Sequence, residues 1–117
     1  AKSFLDAGVL VAGTSDRPCA DGNAMRGIQS FVDRRTRSGD VFGSEDECIT
    51  PQQALEAYTS VAAEASGHGD IKGTVTPGKL ADLVFLDADP TAVDPTTIAQ
   101  IPVRATMVGG EFTHREL

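Results

Sequence analysis

Short apolar runs alternate with mixed stretches along the chain, and the spacing of the apolar positions changes character from one end to the other. Phe4, Leu5 and Ala7 before Gly8 have the pattern of a closing helical turn with glycine at its C′ position. Val9-Leu10-Val11-Ala12-Gly13 is a continuous apolar run, short and rich in branched residues. It predicts a strand buried on both faces, as in a parallel sheet covered by helices. The run stops at Thr14-Ser15-Asp16-Arg17-Pro18, where small and polar residues take over. Met25, Ile28, Phe31 and Val32 then recur at helical spacing with arginines around them. They predict an amphipathic helix over about 24–37, stopped by Ser38-Gly39.

After an acidic loop over 40–48 comes a strong local signal, Ile49-Thr50-Pro51-Gln52-Gln53-Ala54-Leu55. Thr50 suits the N-cap, Pro51 the first helical position, and Gln53 completes a capping box. Leu55, Tyr58, Ala62 and Ala65 follow on one face, with Gly67 placed to close the helix. Strand patterns then take over at 71–75 and 81–86, joined by a tight turn at Thr76-Pro77-Gly78-Lys79. Asp94-Pro95 opens another short helix, and 103–108 alternates as a strand that Gly109-Gly110 turns into Glu111-Phe112-Thr113. The order predicts an α/β class: a parallel-type first half, then an antiparallel β half.

Charge narrows the function classes. The 117 residues carry 10 Lys+Arg against 17 Asp+Glu, a net charge of −7, which disfavours nucleic acid and anionic membrane surfaces as partners. No apolar run reaches the roughly 20 residues of a membrane span. Two cysteines outside any CxxC pair point to a reducing compartment, so a cytoplasmic location is expected. The chain opens without methionine and in the middle of a helical pattern, which fits either a processed terminus or a start inside the helix of a larger protein.

Asp16 is the most suggestive residue for chemistry. A carboxylate just past the C-terminal end of a buried strand stands where α/β folds and barrels place catalytic groups. It could ligate a divalent metal or take a proton from a metal-bound water. Ordinary turn capping by Ser15-Asp16-Arg17-Pro18 is the competing reading. His68 and His114 lie far from it in sequence, in segments that read as exposed. Cys19 is three residues beyond Asp16 but has no neighbouring histidine to make a thiolate, and Cys48 has less to recommend it. No Gly-Lys-Ser/Thr phosphate loop occurs, and Arg34, Arg35 and Arg37 read as a solvated helix face.

Taken together, these residues resemble the C-terminal signature of the amidohydrolase superfamily. Thr50-Pro51-Gln52-Gln53-Ala54-Leu55 with Tyr58-Thr59 and Ala62-Ala63 is similar to that family's penultimate helix. The block from Lys72 to Asp87, with Pro77-Gly78-Lys79-Leu80-Ala81-Asp82 at its centre, resembles its return strand. Val103–Glu111 is similar to its final hairpin, and Val9–Gly13 with Ser15-Asp16-Arg17-Pro18 to its eighth barrel strand and following turn. The spacing leans toward amidohydrolase family 3.

The resemblance implies the end of a (β/α)8 TIM-like barrel over 1–66, its last strand and following helices. Part of a small, composite β-sandwich over 67–117 would follow. It implies hydrolysis of amide or cyclic-amide C–N bonds by a water activated on one or two divalent ions, zinc first among them. Asp16 would touch the metal and act as general base. The His-x-His pair of strand one, the bridging residue of strand four and the histidines of strands five and six have no counterpart here. The other partners would then be the remainder of the polypeptide, with its N-terminal barrel, and a small-molecule substrate, and these residues alone are expected to be inactive. Thr14 stands where a glycine often precedes the Ser-Asp pair. The alternative is a freestanding, non-catalytic interaction module that buries the Val9–Gly13 strand by homo-oligomerisation, since an unpaired apolar strand invites edge pairing.

Overall fold

The computed structural model describes residues 1–117, in which seven regular elements follow one another. These are α1 (Lys2–Asp6), α2 (Ala24–Asp33), α3 (Pro51–Tyr58), α4 (Ser60–Ala65), β1 (Leu83–Leu86), β2 (Val103–Val108) and β3 (Glu111–Arg115). Single 3-10 turns at Glu45–Glu47 and Pro95–Gln100 join them.

Local chemistry sets most of the element ends. Gly8, at φ 77°, closes α1: its N–H donates to the Leu5 carbonyl and that of Val9 to the Phe4 carbonyl, the paired bonds of a Schellman cap. Asn23 caps α2 by accepting from the N–H groups of Met25 and Arg26. The capping box at α3 is formed in both directions, with Pro51 in the first turn. Asp94 caps the second 3-10 turn by accepting from the Thr96 N–H. Gly109 and Gly110 both have positive φ, as a two-residue hairpin turn of matching twist requires.

Two helices depart from their sequence pattern. The helix expected to run to 37 ends at Asp33, where Arg34 adopts a left-handed conformation (φ 50°, ψ 29°). The arginine-rich segment beyond folds back as a loop tied by an Arg35–Val41 bridge, so it is not a helix face. The helix expected from Thr50 to Gly67 is two helices, broken at Thr59 (φ −126°, ψ −94°), whose hydroxyl bonds back to the Leu55 carbonyl at 2.8 Å.

The sheet is wholly antiparallel, in the order β1-β2-β3, with Leu83 opposite Met107 and Phe85 opposite Ala105. Arg104 on β2 grips Asp87 with two hydrogen bonds, Nε to Oδ1 at 3.0 Å and Nη2 to Oδ2 at 2.8 Å.

Two expected strands are not formed. The run Val9–Gly13 makes no ladder; its backbone ties are Val9 N–H to the Phe4 carbonyl and Gly13 N–H to the Ala57 carbonyl. Val9 and Leu10 are 48% and 53% exposed rather than buried. The physical reason is that a parallel strand needs a neighbour, and no other segment of these residues lies alongside. Residues 71–75 likewise follow turns and bends, joined to Leu80 by one backbone bond, with Val75 88% exposed.

The core is one cluster: Met25 and Ile28 of α2, Ile49 and Ala54 around the start of α3, and Ile98 and Ile101 from the 3-10 turn and its end. The Gln29 side chain fastens this turn to α2 by accepting from the Ala99 N–H at 2.8 Å. Ten residues are buried, and the accessible surface is 7561 Å². A compact monomer of this mass exposes about 6,100 Å². The excess is apolar in part: Phe4, Leu10, Phe42, Val84 and Val108 are all more than half exposed. No helix is long and apolar enough to cross a membrane.

Candidate active site

Asp16 sits at the head of a tight turn. The Cys19 N–H donates to the Asp16 carbonyl at 2.8 Å, and the Arg17–Pro18 peptide between them is cis. The Asp16 N–H donates to the Thr14 hydroxyl at 3.3 Å, so the threonine in place of a glycine takes up one backbone donor. Asp16 has φ 54°, a left-handed conformation that aspartate tolerates better than most residues but that still costs about 1 kcal/mol.

The turn is therefore closed by the Asp16 main chain and not by its carboxylate. That side chain is exposed and takes part in no hydrogen bond or ion pair within the chain. Capping does not occupy it, and its oxygens are available to a ligand or a water.

Thr14, Ser15 and Cys19, on either side of Asp16, line a cavity of about 840 Å³ together with residues of α2, the loop after it and Tyr58; Asp16 itself is not part of the lining. Tyr58 is the residue that shapes this lining. Its ring lies so close to Gly13 and Gly27 that a Cβ on Gly13 would fall 2.4 Å from the ring and one on Gly27 1.9 Å from the hydroxyl. Phe31 of α2 meets the ring edge to face, with centroids 6.2 Å apart and planes at 72°. Partial burial pushes the Tyr58 phenol above its ordinary pKa.

The sequence pattern around Tyr58 sets it on a helix face and carries no sign of its contact with this cavity. The available signal was Gly27, a glycine inside an amphipathic helix that carries a propensity penalty unless a neighbour needs the space. The arginines beyond α2 are likewise not the solvated helix face their spacing predicts. Arg34 is half-buried, and with Arg26, Arg35 and Arg37 it lines the cavity.

The remaining candidates stay apart from Asp16. His68 is exposed, with Nδ1 3.2 Å from the Ser66 hydroxyl. His114, on β3, lies 3.9 Å from a Glu116 carboxylate oxygen. Cys19 is exposed and Cys48 half-buried, and both are free thiols. No three His, Cys, Asp or Glu side chains come together as a metal-holding group. A zinc site takes three or four protein ligands, so these residues do not by themselves fit a metal, and Asp16 offers one donor at most.

Comparison with known proteins supplies the frame for this lone carboxylate. The chain is 37% identical over 109 residues to an N-substituted formamide deformylase of Arthrobacter pascens, covering 93% of this chain and 20% of that protein. It is 35% identical over 89 residues to an imidazolonepropionase of Thermoplasma volcanium, covering 76% and 20%. The chain thus spans about a fifth of the length of these curated relatives. The crystal structure of an amidohydrolase from Thermotoga maritima matches the fold with a TM-score of 0.66 at 23% identity, over 97% of this chain and 25% of that one. The model of the amidohydrolase family matches residues 1–114, and the chain belongs to that family.

Proposed function

We propose that this chain is the C-terminal part of a metal-dependent amidohydrolase that cleaves amide or cyclic-amide C–N bonds by attack of water. Asp16 is the group that accepts the water's proton. The observation that carries this reading is the Asp16 carboxylate, which is exposed, unpaired and presented on a left-handed turn whose neighbouring residues, though not Asp16 itself, line a cavity, in a chain of this family. A carboxylate in hydrogen-bond reach of an attacking water removes its proton as the new C–O bond forms.

A divalent ion, zinc first among the candidates, would polarise the scissile carbonyl in such an enzyme. Asp16 would be this chain's contribution to holding it, and the remainder of the polypeptide would provide the other ligands. One donor does not hold the ion, so the chain alone is inactive. In this reading residues 1–66 end a (β/α)8 barrel, with Val9–Gly13 as its last strand, and residues 67–117 form part of a β-sandwich. The exposed Val9 and Leu10 support a partner strand from the N-terminal barrel, and the cytoplasm is the expected compartment. N-substituted formamides are the substrates assigned first, by likeness to the deformylase.

The test compares this chain with the longer product of the same gene. Each is assayed for metal content and for release of formate from N-substituted formamides and ring opening of cyclic amides. The expected result is metal and turnover in the longer protein and neither in this chain. A longer protein that binds no metal and hydrolyses none of these substrates overturns the proposal.

The exposed apolar run also favours a second reading, a non-catalytic interaction module that self-associates through Val9–Gly13. Concentration-dependent dimerisation in sedimentation, abolished by Leu10→Asp, together with no turnover in the longer protein, identifies that case.

A further inference from the structure

The cavity beside the Asp16 turn has a second character that proton transfer does not use. Its lining carries Arg26, Arg34, Arg35 and Arg37 against a single carboxylate, Asp21, although the chain as a whole has a net charge of −7. Two of these cations are already partnered. Arg26 pairs with Asp21, and Arg35 donates to the Gly39 carbonyl at 2.8 Å and lies 3.6 Å from a Glu45 carboxylate oxygen. Arg34 and Arg37 meet no carboxylate.

Arg34 is held in place unusually firmly. Its backbone adopts the left-handed conformation that ends α2, which a non-glycine residue rarely takes. Nε and Nη2 both donate to the Phe42 carbonyl, at 3.0 and 2.7 Å, so two donors share one acceptor while Nη1 has no partner in the chain. Gly43 lets this loop approach, since a Cβ there would stand 2.9 Å from Nη2. The guanidinium is thereby fixed before any ligand arrives, and its Nη1–Nη2 edge is left to meet a planar oxyanion with little further loss of freedom. Arg37, without a partner, supplies a second positive charge on the same wall.

The other surfaces of the cavity are aromatic. Phe31 and Tyr58 form an edge-to-face pair, and Phe42 stands 73% exposed on the same lining. Aromatic walls beside guanidinium groups suit a flat apolar body carrying one acidic group. The volume of about 840 Å³ lies within the range of small-molecule sites.

We propose that this cavity binds a small molecule bearing a carboxylate on an aromatic or other flat apolar body. Arg34 and Arg37 bind the acid, and Phe31, Phe42 and Tyr58 flank the body. The inference goes beyond the hydrolytic reading and holds whether or not Asp16 serves as a base. A carboxylate on a flat apolar body is favoured over inorganic phosphate because the aromatic faces of Phe31, Phe42 and Tyr58 reward an apolar body, which phosphate lacks.

The experiment titrates this 117-residue chain with benzoate, with its neutral isostere benzamide and with inorganic phosphate, following backbone amide shifts by NMR. Benzoate is expected to move the amides of 14–20, 31–43 and Tyr58 saturably, with an affinity that falls as salt is added. Benzamide and phosphate are each expected to bind about tenfold or more weakly. Arg37→Ala, which removes no hydrogen bond or ion pair within the chain, is expected to weaken benzoate about tenfold while leaving the spectrum folded. Arg34→Lys keeps the charge but loses the fork, and should weaken it as well. Asp16→Asn should leave benzoate binding unchanged or slightly tighter. No saturable benzoate binding, equal binding of benzamide or phosphate, or an unaffected Arg37→Ala variant overturns the proposal.

Discussion

The Tyr58 hydroxyl lies 1.9 Å from where a Cβ on Gly27 would stand, so only a hydrogen at that position lets α2 and α3 pack as closely as they do. Gly27→Ala relieves a helix-propensity penalty of about 1 kcal/mol but forces an overpacked contact costing about 1–3 kcal/mol. The net effect is destabilising. Urea unfolding should show a lower midpoint for Gly27→Ala, and a smaller loss when the same change is made in a Tyr58→Ala background. A raised midpoint for Gly27→Ala contradicts the contact.

Thr50→Ala removes the side-chain acceptor of the α3 N-cap and one half of its capping box. A loss of about 1 kcal/mol is expected, seen as a fall in Tm of about 3–5 °C. Thr50→Ser should keep most of the stability.

Acid should weaken the fold through Glu47. In the 117-residue chain on its own, where Ala1 carries a free ammonium, the Glu47 carboxylate accepts from that ammonium at 2.5 Å and from the Ser3 N–H, which lowers its pKa from 4.5 to about 2. The unfolded chain therefore binds the proton first as pH falls. The contribution of this group is complete above pH 4.5 and is lost between 4.5 and about 2. Asp87, held low by Arg104, and Asp89 and Asp94, held low by threonine hydroxyls and amides, act in the same direction. Glu47→Gln, or acetylation of Ala1, should flatten the stability–pH profile in that window, as read from urea midpoints. An unchanged slope contradicts the pairing.

The exposed state of the first apolar run is directly testable. With Leu10 53% exposed and no ladder at 9–13, Leu10→Asp should change the stability of this chain by less than about 0.5 kcal/mol. A loss of several kcal/mol would mean that the run is packed as a strand. In the longer protein the same substitution should be severe if a barrel covers it.

Signals confined to a few residues were legible in the sequence. The Thr50–Gln53 box, the Asp94-Pro95 start, the Gly8 cap, the Pro77-Gly78 turn and the Gly109-Gly110 hairpin all appear as their chemistry dictates. Features that depend on a distant partner were not legible. Val9–Gly13 and 71–75 have strand-like composition, but a strand exists only where another backbone takes its hydrogen bonds. The end of α2 at Arg34 and the break at Thr59 arise from backbone conformations that neither residue advertises. At the site, Asp16 could be located in its turn from Pro18 and the preceding apolar run. Its unpaired carboxylate, the Tyr58 contact with Gly27 and the clustering of Arg26 with Arg34 are contacts made only by the folded chain.

The role of Asp16 is tested most directly by kcat/KM of the longer protein of this gene, measured for wild type and Asp16→Asn on an N-substituted formamide. Loss of a general base is expected to lower kcat/KM by about 10²–10⁴-fold, with circular dichroism and Tm unchanged. An Asp16→Asn enzyme that keeps wild-type kcat/KM contradicts the assignment.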